Sequence, residues 1–483
     1  MKMKDIKGLT NIKDSFKTKQ VRYGGYAALL TLAVIVGLIL LNLTIGQFSP
    51  QIDLTENRLF TLSEQTLQLL DRIDTPVQFF GLWRPGEEDM NVMNVINLYL
   101  ARNRNISLEV IDPDRNPGFV MRYDRERRGI HRGSLIVEGE RAFRIIAPHE
   151  MYDFQMAQGG GFSITAMAME RRITSALLFA ATGETPVIYE LTGHLEIPLE
   201  ALGLTEALDR ENYIVRTLNL VLSPVPDDAS IVVMNNPQRD LAPVEAERLL
   251  DYLDSGGRFL VIANYLIQEL PNLNEVLASY GLRFDYGIVF ETDPNYLIFD
   301  GRTVWPDVGD HAITAPLADR IQTPVILIEA MPLSILEARR RTIEITPLLN
   351  SSPRAFLRTD MDDSSAGRIP SDISGPFILG AAVMDPSWVQ GDEPQARIVA
   401  IGCGALLHLA AQGIDGNRDL FMNSLTWLQD RPENITIRAR SLFLLPLRLN
   451  LAQIVLFGGL FIVIIPAAFF ISGLVIWLKR RHL

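Results

Sequence analysis

The chain has 483 residues and a net charge of −12, with 48% hydrophobic residues and a single cysteine. One cysteine excludes an intrachain disulfide framework, so any exported domain must rest on its packed core. The acidic surplus argues against nucleic acid or an anionic lipid surface as the main partner.

Residues 1–22 carry seven basic and two acidic side chains, a net of +5, and no charge follows until Asp53. Within that gap Tyr23 to Ile45 is predominantly apolar, long enough for a hydrocarbon core of roughly 30 Å. A second charge-free run lies between Arg448 and Lys479 and contains Pro466, with a transmembrane helix expected over 449–478. The basic tails, 1–22 and 479–483, are expected to keep both termini in the cytoplasm and to put the intervening chain outside. A cleaved signal peptide is the alternative for the first span, but its apolar stretch is too long and no small-x-small site follows Ile45. The outer part then carries −20, and its roughly 390 residues can bury two or three cores.

A first small α/β domain is expected over 53–150. Thr61 and Ser63 mark the start of a helix ending near Arg72. Val77 to Leu82 reads as a strand, Asp89 to Arg102 as a helix with Val92, Val95, Ile96 and Tyr99 in its apolar stripe, and Ile106 to Ile111 as a second strand. Asp112 to Pro117 is a turn, and Ser134 to Val137 with Ala142 to Ile146 form a hairpin. Residues 151–184 are expected to be a linker, including the connector Gly159–Gly161, and a helix over Ile164 to Ala181; no phosphate-loop lysine follows the glycines.

Over 185–435 strands and helices alternate. Val187–Leu191, Ile214–Leu218, Ile231–Met234 and Phe259–Ala263 read as buried strands, with helices around Leu199–Asp209 and Val244–Leu253 and a glycine cap at Gly256–Gly257. Such alternation predicts an α/β fold with a mainly parallel, flavodoxin-like sheet. Residues 286–368, a region less regular, are expected to form a β-rich insertion; strands return at Phe377–Val383 and Ile398–Ile401, followed by a helix over Arg418–Gln429 and a return segment, Ile435 to Arg440.

Candidate chemistry is sparse. Cys403 follows a predicted strand, where a nucleophile elbow would stand, yet His408 five residues on belongs to a different helical face; a buried small-residue turn competes with a catalytic thiol. The stronger candidate is Thr192-Gly193-His194-Leu195-Glu196, directly after the first strand of the parallel sheet, where ligands bind in such folds. Against it stands a plain structural role, in which His194 and Glu196 cap the next helix and hold the loop. The six histidines show no paired spacing and Asp360-x-Asp362-Asp363 lacks the glycine and glutamate of a calcium loop, so no metal is expected; nor is any cofactor. Asp112 and Asp114 fit turn roles.

In order, Asp112-Pro-Asp-Arg-Asn-Pro117, Met169-Glu-Arg-Arg-Ile-Thr-Ser-Ala176, Thr192-Gly-His-Leu-Glu196 and Tyr252-Leu-Asp-Ser-Gly-Gly257 resemble the gliding-motility GldG family of ABC-transporter auxiliary proteins. The resemblance implies a non-enzymatic subunit working beside an ABC-2-type permease and its cytoplasmic ATPase. It also implies that the sheet region looks like a domain shared with an intraflagellar-transport protein, itself similar to class I glutamine amidotransferases with a Cys-His-Glu triad. That triad does not transfer, because no cysteine other than Cys403 occupies an elbow after a central strand; separately, the family's usual Gly-His-Gly-Glu is here Gly193-His-Leu-Glu196, which tells against a role needing close backbone approach at position 195. A membrane-tethered amidotransferase-like hydrolase and an envelope scaffold are the competing functions. The chain has no Walker A motif and is not itself the ATPase.

Overall fold

The computed structural model describes residues 29–40, 61–124, 130–156, 162–265, 269–321, 323–361, 367–385, 396–429, 440–441 and 456–481. The chain divides into two compact units, Met1–Arg58 and Leu59–Leu483. In the first, residues Leu29–Leu40 form an apolar helix, α1. Its 12 residues span about 18 Å, less than a bilayer core; the rest of the predicted span, 23–28 and 41–45, lies outside the described residues.

The second unit opens with α2 (Glu64–Arg72), whose N-cap Ser63 accepts a hydrogen bond from Thr66 N, as the sequence predicts. A four-stranded sheet follows from β1 (Val77–Gly81), β2 (Ile106–Val110), β3 (Leu135–Glu138) and β4 (Phe143–Ile146), in the order β2-β1-β3-β4. β1 and β2 are parallel, joined through α3 (Met90–Arg102), and β3–β4 is the predicted hairpin. Asp89 caps α3, and Val92, Val95, Ile96 and Tyr99 are buried in one core with Phe79 and Val137. Beyond the Asp112 turn, where Asp112 Oδ1 accepts Asp114 N at 3.0 Å, Pro117–Tyr123 forms a helix α4 that periodicity did not reveal.

Residues 151–184 depart from expectation. Tyr152–Met156 (β5) and Phe162–Met167 (β6) form an antiparallel hairpin, and the helix predicted from Ile164 begins at Met169 as α5 (Met169–Thr182). The alternation Phe-Ser-Ile-Thr-Ala-Met carries a strand period, and β6 finds a second partner in Arg440–Ser441. Gly159–Gly161 lies outside the described residues. α5 is pinned from its first turn: Glu170 Oε1 accepts Ser63 N at 2.5 Å and Thr66 Oγ1 at 2.8 Å, while the Tyr99 hydroxyl donates to Glu170 O at 3.0 Å and lies 2.6 Å from Thr174 Oγ1.

The large sheet has ten strands. Its centre is β7 (Val187–Leu191), β8 (Ile214–Leu218), β9 (Ala229–Asn235), β10 (Arg258–Ile262) and a late strand, Ala396–Ile401, all parallel. Successive side chains pack alternately into two cores. Ile188, Ile231, Val233, Leu260, Ile262, Val399 and Ile401 meet α6 (Leu204–Arg210) and the late helix Asp415–Leu428; Val187, Tyr189, Val232, Met234, Phe259, Val261 and Ala400 meet α7 (Pro243–Asp254) and α8 (Pro271–Ser279). Burial on both faces explains the largely apolar runs of the inner strands β7, β9 and β10. α6 begins five residues after the predicted Leu199, because Gly203, at φ +68°, interrupts the helical path. Just beyond the end of α7, Gly256 takes φ +86°; a Cβ on Gly257 would strike the Tyr252 ring and carbonyl at 2.5 Å, so Tyr252 and Gly257 close this turn together.

The prediction of a mainly parallel sheet needs correction. On one side the sheet continues through β11 (Leu282–Phe284), β12 (Leu333–Ile335), β13 (Glu344–Asn350) with the short strand Asp307–Val308 at its edge, and β14 (Ile378–Asp385), all in antiparallel pairings, before β15 (Ala396–Ile401) returns to the parallel set. Only ten residues separate β14 from β15, too few for a parallel crossover of roughly a dozen or more. The 286–368 region is β-rich as expected, with Leu327–Ile328 among its short strands. α9 (Leu406–Ala411) follows the Cys403 turn, where a helical pattern was expected, and precedes α10 (Asp415–Leu428).

Leu456–Lys479 is a helix of 24 residues, long and apolar enough to cross a membrane and buried nowhere against the described chain. The turn Gly459–Ile464 is π-helical just before Pro466, where the proline ring removes a backbone donor and crowds the carbonyl four residues earlier.

Tyr99→Phe removes a hydroxyl held between Glu170 and Thr174. It should lower stability by about 1 kcal/mol without altering the secondary structure, seen as a reduced urea midpoint at an unchanged m-value.

Candidate functional site

The spatial order β8-β7-β9-β10-β15 is the 2-1-3-4-5 arrangement of a flavodoxin-like sheet. The strand order reverses between β7 and β9, which run parallel, and at such a switch point α/β sheets place their ligand crevice at the carboxyl edge. The structure places Thr192, Gly193, His194 and Glu196 at this point, on the loop leaving β7.

The crevice is occupied by the chain itself. His194 Nδ1 lies 2.7 Å from Glu196 Oε1, and Nε2 lies 2.8 Å from Glu245 Oε2 on the first turn of α7. All three side chains are nearly inaccessible, at 5%, 4% and 2%. Glu196 also folds its own loop by accepting His194 N at 2.8 Å, and Glu245 accepts Ala242 N at 2.8 Å, which caps α7. Two more bonds stitch the loop after β7 to the chain after β9: Gln238 N donates to His194 O at 2.7 Å and Asn235 Nδ2 to Ile197 O at 2.8 Å. Thr192 N donates to Leu218 O at the end of β8. The capping anticipated for Glu196 therefore falls to Glu245, and no helix starts directly after Glu196.

Burial opposes a charge on His194, but the hydrogen bonds and charges of Glu196 and Glu245 outweigh it and lift the imidazole pKa to about 9. At neutral pH the ring is a cation that donates from both nitrogens, with no lone pair left for a proton from a substrate. Burial also raises Glu190, in the middle of β7, whose Oε1 accepts Leu199 N at 2.7 Å. Leu195, where the GldG pattern has glycine, adopts φ +60° and turns a side chain that is 60% exposed outward from the loop. A leucine in this region is strained by about 1 kcal/mol, which the anchoring of both neighbours sustains.

Cys403 is fully buried in the Gly402–Gly404 turn, and its sulfhydryl is 3.3 Å from Ile328 O. Burial pushes the thiol up to about 11. His408 is exposed on α9 and paired with Gln412 at 2.8 Å, so the structure does not bring it to the sulfur. Gly402 is required by space, since a Cβ there would lie 1.8 Å from Met331 O. No group of three or more histidine, cysteine or acidic side chains suited to a metal occurs among the described residues; Asp362 and Asp363 lie outside them.

Sequence reasoning located His194 and Glu196 but missed Glu190, Asn235 and Glu245. Glu190 carried a signal, a carboxylate inside an otherwise apolar strand. Glu245 carried a weaker one, a glutamate two residues after the proline that opens α7.

Comparison with protein families and with curated proteins gave no match. Among solved structures, the mmIFT52 N-terminal domain aligns with 50% of this chain and 96% of its own length, at 15% identity and a TM-score of 0.36. A likeness that loose carries no argument about fold or function.

Because the folded-state pKa of His194 lies above the unfolded value, its contribution is complete below about pH 6.5 and disappears as pH rises through about 9. His194→Gln should cost about 3–5 kcal/mol at pH 6 by leaving a buried carboxylate unpaired. Urea titrations should show the gap to wild type narrowing toward pH 9.5; a gap independent of pH would contradict the charged bridge.

Proposed function

We propose that the chain is a membrane-anchored, non-ATPase auxiliary subunit of an ABC-2-type transporter, similar to the GldG proteins of gliding motility. In this reading Tyr23–Ile45 and residues 449–478 are its anchors in the bacterial inner membrane, both termini are cytoplasmic, and the two α/β modules stand outside to meet a partner. Its partners are an ABC-2-type permease, a cytoplasmic ABC ATPase and the lipid bilayer. Thr192, Gly193, His194 and Glu196 shape the loop that such a partner or a periplasmic ligand would contact.

The observation that carries this reading is the ordered set of four motifs, spread across both modules of a chain whose last helix, Leu456–Lys479, is apolar and uncovered. Each motif has a physical task in the fold. Asp112–Pro117 turns the chain, Glu170 of Met169–Ala176 anchors α2, His194 closes the sheet crevice, and Tyr252–Gly257 ends α7. The buried state of Cys403 and the double hydrogen bonding of His194 support a binding role over a hydrolytic one.

Affinity purification of the full chain from its native membrane in mild detergent should recover an ABC-2-type permease and an ABC ATPase in fixed proportion, identified by mass spectrometry. Recovery of the chain alone, under conditions that keep other membrane complexes intact, would refute the proposal.

A further inference from the structure

The chain that enters the second unit and the chain that leaves it meet at one place. On entry, Ser63 at the start of α2 donates its backbone N–H to Glu170 Oε1 at 2.5 Å, on the first turn of α5. On exit, the short strand Arg440–Ser441 pairs antiparallel with the end of β6, Arg440 opposite Met167 and Ser441 opposite Ala166. Both connections, one coming from the apolar residues 23–45 and the other going to the helix Leu456–Lys479, thus flank the junction of β6 and α5.

The β5–β6 hairpin starts from that junction. β6 runs from the tip of the hairpin to its base, so Arg440–Ser441, antiparallel to it, runs from base toward tip. The chain therefore leaves Ser441 in the direction of the tip, on its way to Leu456. Along the hairpin Phe154 stands opposite Ile164 and, two positions nearer the tip, Met156 stands opposite Phe162. A strand period of two puts these four apolar positions on one face and Gln155 and Ser163 on the other. At the base the chain is anchored in the small module, where Met151 and Met167 are buried with Val137 and Ile173. Phe154 and Ile164, by contrast, are each 44% exposed, an apolar cross-strand pair left uncovered beside both routes to apolar segments.

An exposed apolar face marks a place of contact, and one that lies on the path to a membrane-length helix is placed to meet lipid. We propose that the end of the β5–β6 hairpin lies in the bilayer surface, with Phe154 and Ile164 sunk roughly 5–10 Å into the boundary of headgroups and acyl chains. The attraction is apolar and needs no anionic lipid, which suits a chain with a net charge of −12. The hairpin then holds the α/β modules in one orientation on the membrane. The inference rests on the anchoring by Leu456–Lys479 in the reading above, and not on the transporter.

Nitroxide labels on Phe154→Cys and on Ile164→Cys, each in the full chain in phosphatidylcholine nanodiscs, test this by power-saturation EPR, with oxygen as the lipid-soluble relaxant and a neutral nickel chelate as the aqueous one. The native Cys403 is buried, so the unsubstituted chain serves as the labelling blank. Ile471→Cys, exposed on the apolar helix, is the lipid reference, and Glu275→Cys, exposed on α8, is the aqueous one. A circular dichroism spectrum matching the unsubstituted chain qualifies each variant. At both hairpin positions the ratio of oxygen to nickel accessibility should stand several-fold above that at Glu275→Cys and approach that at Ile471→Cys. Aqueous ratios at the hairpin with a lipid ratio at Ile471→Cys would overturn the inference and leave the anchoring intact. Exclusion of both relaxants from the hairpin labels would overturn it too, since protein rather than lipid would then cover the pair. An aqueous ratio at Ile471→Cys would overturn the anchoring and the inference with it.

Discussion

A buried imidazolium between two carboxylates governs the centre of this protein. His194 ties the loop after β7 to the first turn of α7, and through Glu196 and Gln238 it fixes the loops at the reversal of the sheet. Three ionisable groups in so dry a place are tolerated because each is paired. Neutralising or deleting one leaves another stranded, so the constraint is shared among residues 51 positions apart in the chain. Its consequence is functional: the position where a parallel α/β sheet ordinarily receives a ligand is taken by the protein's own side chains.

Much of this architecture was legible in the amino-acid order. β7 and β8 were found with their exact ends, because each is a short run rich in β-branched and apolar residues bounded by turn residues. α3 was legible because its stripe and its Asp89 cap agree. The antiparallel half of the large sheet was not, since short strands such as Leu333–Ile335 take their pairing from distant partners rather than from a local period. The helix expected from Ile164 failed for a related reason: two strand partners, Tyr152–Met156 and Arg440–Ser441, override local preference.

The site was half legible. A histidine and a glutamate after the first strand of an α/β sheet pointed to the carboxyl edge, and that location is where they stand. What they do there depended on Glu245, whose approach to His194 no local pattern announces. Cys403 shows the same limit from the other side: a strand, a small-residue turn and a helix reproduce the setting of a nucleophile, while the burial that raises its thiol comes from packing across the Ile328 segment.

The central claim is that His194 is a cation at neutral pH, spent on holding the crevice closed. Long-range proton–nitrogen NMR of histidine-labelled protein, with the resonance assigned by its loss in His194→Gln, observes this directly. The account predicts that both ring nitrogens carry protons at pH 7.5 and titrate near pH 9. A neutral ring at pH 7.5, with one unprotonated nitrogen and a midpoint near 6.5, would contradict it.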